Sequence, residues 1–218
     1  RLEDAPLEEH RTWLTEADFT CYFREGERLK NKYRDRITIR LGVEVGFNPE
    51  ALGALRTALA RYPFEWIGIS YHFLFNGQQH LNMVSRRPEN IAALSALGAE
   101  QVISSYFAGL QEAVSTLDGH MLCHLDAVMR HLPDLRFTPE HQAQIDDLLA
   151  AMAKKNMFLE INTSGFALRG EPYPARTILR RALALGIPLV VGSDAHQPGQ
   201  VGRYFDRVPA FLSDMSSE

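Results

Sequence analysis

Apolar and polar positions along this chain follow two rhythms that take turns. "ITIRLGVEV" (Ile37–Val45) alternates apolar and polar residues before turning apolar, as a strand entering a core does. "NPEALGALRTALARY" then places Asn48 to cap a helix, Pro49 in its first turn, and Leu52, Leu55 and Leu59 on one face. The same exchange recurs. "WIGISYHF" (Trp66–Phe73) reads as a second strand, and Pro88 to Leu117 as a helical region divided at Gly98. "HMLCHLD" (His120–Asp126) is a third strand. "TPEHQAQIDDLLAAMAKK" is a capped helix with Ile145, Leu148, Leu149 and Met152 along one side. "MFLEIN" (Met157–Asn162) is a fourth strand, "YPARTILRRALALG" a helix stopped by Gly186, and "IPLVVGS" a fifth strand. Strands regularly followed by helices predict an α/β fold of parallel strands with helical crossovers, either a barrel or an open doubly wound sheet.

In a barrel of this kind the working residues stand at the C-terminal ends of the strands. Those ends carry Glu44, His72, His124, Asn162, and the pair Asp194 and His196. Each has a plain structural reading: a histidine after an apolar strand commonly serves as a hydrogen-bonded core residue, and Glu44 could pair with a neighbouring Arg. Together they read differently. Gathering a Glu, an Asp and three His with nothing to bind costs several kcal/mol in desolvation and like-charge repulsion. Imidazole with carboxylate is also the donor set of Zn, Mn and Fe sites. Five contributing strand ends exceed the single crevice of a doubly wound sheet, which favours the barrel. His10, His80, His131 and His141 fall in helical or loop stretches and are expected to be solvated surface residues.

Composition narrows the partners. A formal net charge of -4 and a pI near 6.1, with no Lys/Arg stripe interleaved with aromatics, argue against nucleic acid. No apolar run reaches the roughly 18 residues of a membrane span, and no basic-then-apolar leader is present. Cys21 and Cys123 are too few for a disulfide framework and suit a reducing cytoplasm.

Strand-end "GVEVGF", "ISYHFL", "CHLD" and "GSDAH", in this order, resemble the later motifs of the PHP (polymerase and histidinol phosphatase) superfamily. "LEINTSGF" followed by "PYP" is similar to its histidinol-phosphate phosphatase branch. The resemblance runs from about Leu41 to Phe205. It implies one α/β domain over residues 1–218, a distorted TIM-like (β/α)7 barrel, with two or three divalent metal ions (Zn, Mn or Fe). Carried over, Glu44 bridges two metals, His72 and His124 complete one, Asp194 binds another and His196 a third.

The implied reaction is hydrolysis of a small phosphorylated substrate, histidinol phosphate, in the cytoplasm. Asp194 or His196 would protonate the leaving alkoxide. Arg169 and Arg203, on loops leaving the same rim, would meet the phosphate, and Asn162 with Ser164 would orient substrate or cap a turn. Two departures stand out. The family's first motif, a His-x-His, has no counterpart before Glu44, so the first βα unit is absent from the given chain and is expected upstream. Arg169 is displaced by two residues from the position many relatives use. The alternatives are a phosphoesterase for nucleotides or sugar phosphates, and a non-catalytic scaffold domain; the oligomeric state is left open.

Overall fold

The computed structural model describes residues 14–85, 87–131 and 136–217. Helix α1 (Glu16–Tyr33) opens the described chain. Thr15 caps it in a reciprocal pair with Asp18, and two acids in its first turn suit the helix dipole. Phe19 and Phe23 pack with Tyr62 and Phe64, while Tyr22 Oη accepts from Gly42 N at 2.9 Å and donates to Gly42 O at 2.7 Å. The helix thus buttresses the start of the first strand.

Strand β1 (Gly42–Gly46) follows, then a short turn with Asn48 as cap and helix α2 (Leu52–Arg61). After β2 (Trp66–Ser70) a hairpin of β3 (Phe73–Phe75) and β4 (His80–Asn82) leads into α3 (Pro88–Leu97) and α4 (Ala99–Thr116). Gly98 divides the two helices at φ 86, a conformation open to glycine and costly for other residues. Then come β5 (Met121–Leu122), α5 (Pro139–Lys154), β6 (Phe158–Asn162), the short α6 (Phe166–Arg169), α7 (Arg176–Ala184), β7 (Leu189–Gly192) and α8 (Val208–Ser217).

Five strands form one parallel sheet in the order β1-β2-β5-β6-β7. The spatial order repeats the chain order. A doubly wound sheet reverses direction at a switch point, and this one does not, so it winds as a TIM-like barrel does. Among the described residues β1 and β7 form its two edges. The core lies between sheet and helices, with Ile69, Leu122 and Leu159 against Ile103, Tyr106, Leu110, Ile145 and Leu148, each fully or almost fully buried. The apolar side of α5 faces inward as its spacing predicts.

All five strands are shorter than the apolar pattern suggests, and two of the differences are large. Residues 37–41 are not strand: the ladder begins with Gly42 opposite Trp66, and before it Leu41 bonds to Glu65, its N donating to the carboxylate at 2.8 Å and its O accepting from Glu65 N at 2.7 Å. The third strand is Met121–Leu122, because the chain turns out of the sheet at His124, whose φ is 22. Nor is His141 a surface residue. It is buried, its Nδ1 accepts from Thr138 N at 3.2 Å, and its Nε2 lies 3.1 Å from Ser104 Oγ on α4. The His80 ring is also largely covered, pairing with Glu50 at 3.2 Å and lying 5.0 Å from the Phe75 ring. His10 and the His131 side chain lie outside what is described.

Candidate metal centre

Three predicted ligands meet. Glu44 Oε1 from β1, His72 Nε2 from just beyond β2 and His124 Nε2 from just beyond β5 form a triangle. Its edges are 3.5 Å between Glu44 and His72, 3.3 Å between Glu44 and His124, and 3.3 Å between the two imidazoles. Tetrahedral zinc with bonds of roughly 2.0–2.1 Å places its ligand atoms about 3.3–3.4 Å apart. The donor set and the spacing both fit a divalent ion.

Electrostatics agree. Crowding by the neighbouring groups opposes ionisation of Glu44, whose side chain is still 43% exposed, but the hydrogen bond from His124 and the charges of His124 and His72 hold its carboxyl well below the usual range. Burial also disfavours a charged His124, yet Glu44, with help from Glu160 and Asp194, pushes it up to about 9. His72, desolvated and repelled by His124, falls to about 4. The triangle thus favours positive charge beside the Glu44 carboxylate.

Asp194 and His196 follow β7. Asp194 sits at φ 49, with Ser164 Oγ 3.3 Å from its Oδ2 and an Arg130 Nη2 at 3.7 Å. It acts on the His72 and His124 charges but is not part of the three-atom group. His196 stands further out. Its side chain is 80% exposed and its Nδ1 lies 3.0 Å from the carbonyl oxygen of Asp194. Two of the candidate ligands, His124 and Asp194, thus occupy positive φ, a strain of about 1–3 kcal/mol each that surrounding contacts must hold.

The other predicted residues are already engaged. Asn162 is buried: its Oδ1 accepts from Ser164 N and Oγ at 3.0 and 2.6 Å, and its Nδ2 donates to Glu160 at 3.1 Å. Arg169 donates to Asp126 at 2.9 and 3.3 Å and to Pro172 O, and lies 4.0 Å over the Tyr173 ring. Arg203 donates to the carbonyl oxygens of Ser193 and Asp194 at 2.8 and 2.9 Å, bracing the turn that carries Asp194.

Sequence reasoning missed three residues. Glu160, buried on β6, accepts from His124 N at 2.8 Å. Burial raises its pKa, against the pull of His124. Asp126, buried after β5, holds Arg169 and Ala175 N. Arg130 brings a mostly covered guanidinium to Asp194, and its positive charge reaches His72. The one available signal was the acid inside the apolar "FLEIN", since an acidic residue in a buried strand demands a partner. Arg130 gave none, because it follows "HLD" in a stretch with no readable period.

Fold and site together define a barrel-type α/β domain with a candidate carboxylate–imidazole metal centre at its strand ends. The chain belongs to the PHP family: the PHP domain model matches residues 8–164, and a model described as PHP-associated matches residues 173–216. Strands β6 and β7, one in each matched segment, pair in a single sheet. The chain is 30% identical over 192 residues to a probable histidinol-phosphatase of Deinococcus radiodurans, covering 86% of this chain and 69% of that protein. It is 29% identical over 210 residues to the histidinol-phosphatase of Bacillus subtilis, covering 91% and 77%. Among solved structures, a putative histidinol phosphatase from Listeria monocytogenes superposes with a TM-score of 0.81 at 24% identity, over 89% of this chain and 77% of that one. The histidinol phosphate phosphatase of Lactococcus lactis, solved with zinc, L-histidinol and phosphate, gives 0.66 at 18% identity, over 90% and 73%. No helix among the described residues is long and apolar enough to cross a membrane.

Proposed function

We propose that this protein is a metal-dependent phosphomonoesterase that hydrolyses histidinol phosphate to histidinol and phosphate, a step of histidine biosynthesis. The triangle of Glu44, His72 and His124 carries the metal dependence, because its donor set and its 3.3–3.5 Å edges suit a divalent ion. The substrate rests on the relatives, several of which are named histidinol-phosphatases.

On this reading the chain is one domain. Two or three ions of Zn, Mn or Fe would be held by Glu44, His72 and His124, with Asp194 and, where a third ion binds, His196 as the further ligands. Bound there, such ions supply Lewis acidity toward phosphoryl oxygens and lower the pKa of water. The chain's own residues do the rest. Arg130, whose Nε is buried without a hydrogen-bond partner among the described residues, neutralises charge on the phosphoryl oxygens. Asp126 holds Arg169 away from that task, and Arg203 keeps the Asp194 turn in place. His196 is anchored through Nδ1 and has no partner at Nε2 among the described residues. Because Asp194 O only accepts, Nδ1 keeps its proton, and where His196 binds no ion it is the imidazolium whose Nε2–H protonates the departing alkoxide, leaving a neutral ring.

The test uses the full chain, stripped by chelator and reloaded with Mn or Zn. It is offered histidinol phosphate, a nucleoside monophosphate and p-nitrophenyl phosphate. The highest kcat/KM should fall on histidinol phosphate. Turnover of the aryl ester alone would remove the named substrate and keep the chemistry; metal-loaded protein inert toward all three would sink both.

A further inference from the structure

His124 is the least self-sufficient member of the triangle. Its φ of 22 is a conformation that a residue with a side chain adopts only under constraint. The β5 ladder ends at Leu122. Metal-ligating histidines are ordinarily oriented through the second ring nitrogen, which donates to a carboxylate or carbonyl. Here His124 Nδ1 is buried with no hydrogen-bond partner among the described residues. Ring orientation must come from elsewhere.

It comes from the main chain. Cys123 N donates sideways to Ile69 O of β2 at 2.9 Å, so the next N–H, that of His124, points toward β6. A longer strand would meet a backbone carbonyl there. Instead the Glu160 carboxylate takes the bond, Oε2 accepting from His124 N at 2.8 Å. The same oxygen accepts from Asn162 Nδ2 at 3.1 Å, and Asn162 is itself locked by Ser164. On the far side β7 makes room. A Cβ on Gly192 would lie 1.9 Å from Glu160 Oε1 and 2.8 Å from its Cδ. Three neighbouring strands therefore cooperate: β7 leaves the space, β6 fills it with a carboxylate, and the carboxylate holds the residue beyond β5.

We propose that Glu160 is the positioning residue for the metal ligand His124, acting through the His124 backbone and touching neither ion nor substrate. This rests on reading the triangle as a metal site. Without the bond from Glu160, His124 relaxes toward negative φ, and its Nε2 leaves the point 3.3 Å from both Glu44 Oε1 and His72 Nε2.

Three variants test it in the full chain: Glu160→Gln, Glu160→Leu and Gly192→Ala. Zinc affinity is read by competition with a chromophoric chelator, the ligand field by the visible spectrum of the cobalt-loaded protein, and folding by melting of the metal-free form. Gln keeps an acceptor for His124 N but loses the charge, so it should stay within about tenfold of wild type and keep the cobalt spectrum. Leu removes the acceptor and should weaken zinc by about 10–100-fold, the usual cost of losing a ligand's support. Gly192→Ala displaces an intact carboxylate and should match Leu, which keeps the test alive if Leu does not fold. Gln as weak as Leu would show that charge and not the bond matters, and would overturn the proposal. So would folded Leu and Ala variants that bind zinc like wild type. Wild-type protein that binds no zinc would instead bring down the metal reading beneath it.

Discussion

Arg169 offers the sharpest contrast between a sequence pattern and a packed structure. Its motif suggests a phosphate contact; its surroundings make it half of an internal ion pair. Asp126 is 1% exposed and receives both Arg169 Nη groups plus Ala175 N. Truncating Arg169 to Ala would leave a buried carboxylate with one donor and strip the guanidinium from the face of Tyr173. Breaking a buried pair from one side costs about 3–5 kcal/mol. The Arg169 side chain is 22% exposed, so water can partly replace it, and about 2–4 kcal/mol is the expected loss. At roughly 2–4 °C per kcal/mol for a chain of this size, Tm should fall by about 5–15 °C. Urea unfolding of the metal-free protein measures the loss directly. A double-mutant cycle with Asp126→Ala should return a coupling of at least about 1 kcal/mol, because the paired charges vanish together. Melting unchanged within about 2 °C, with KM for a phosphomonoester raised tenfold or more, would refute the structural assignment and return Arg169 to the substrate.

Arg130→Ala should show the reverse, with KM raised about tenfold or more and Tm moved by only a few degrees, as measured by steady-state kinetics beside melting curves. Gly165→Ala places a Cβ 2.5 Å from Glu171 O and 2.9 Å from Tyr173 N, both main-chain atoms that cannot swing aside. It should cost about 1–3 kcal/mol in urea unfolding. In chelator-treated protein, His124 has a folded pKa raised to about 9. A raised histidine pKa lends stability that is complete below its unfolded value of about 6.5 and is lost as pH rises through the folded one. Melting of the metal-free form should therefore decline between about pH 7 and 10, and His124→Ala should flatten that decline.

How much of this was legible depends on the kind of contact. Periodicity located the helical faces, because a one-sided burial such as Ile145, Leu148, Leu149 and Met152 on α5 writes itself into the spacing. Glu44, His72 and His124 were legible for a related reason: parallel strands bring their ends to one rim, so residue type plus position at a strand exit predicts company. Helix α1 went unread although the signal was there: Thr15 and Asp18 form its capping box, and Phe19, Tyr22, Phe23, Leu29 and Tyr33 recur at helical spacing on one half-buried face. What no one-dimensional pattern could hold is the support beneath the ligands. Glu160 meets His124 across 36 residues, and Asp126 meets Arg169 across 43. Such pairings exist only after the sheet has fixed its register.

The division has a physical logic. The ligands must be side chains of certain chemistry at certain strand ends, and that constraint is local. Their geometry must be held to within a fraction of an ångström, and no strand end does this by itself, least of all where φ is positive. His124 and Asp194 are both strained, and a charged side chain bonds the main chain of each: Glu160 takes His124 N, and Arg203, with His196 beside it, meets Asp194 O. A carboxylate takes the N–H of the first ligand; a guanidinium takes the carbonyl of the second. The same fold thus solves one problem twice with opposite charges, matched to whichever main-chain group the turn leaves without a ladder partner. Exchanging the two clamps would fail at both sites, because a guanidinium cannot accept from His124 N and a carboxylate cannot donate to Asp194 O.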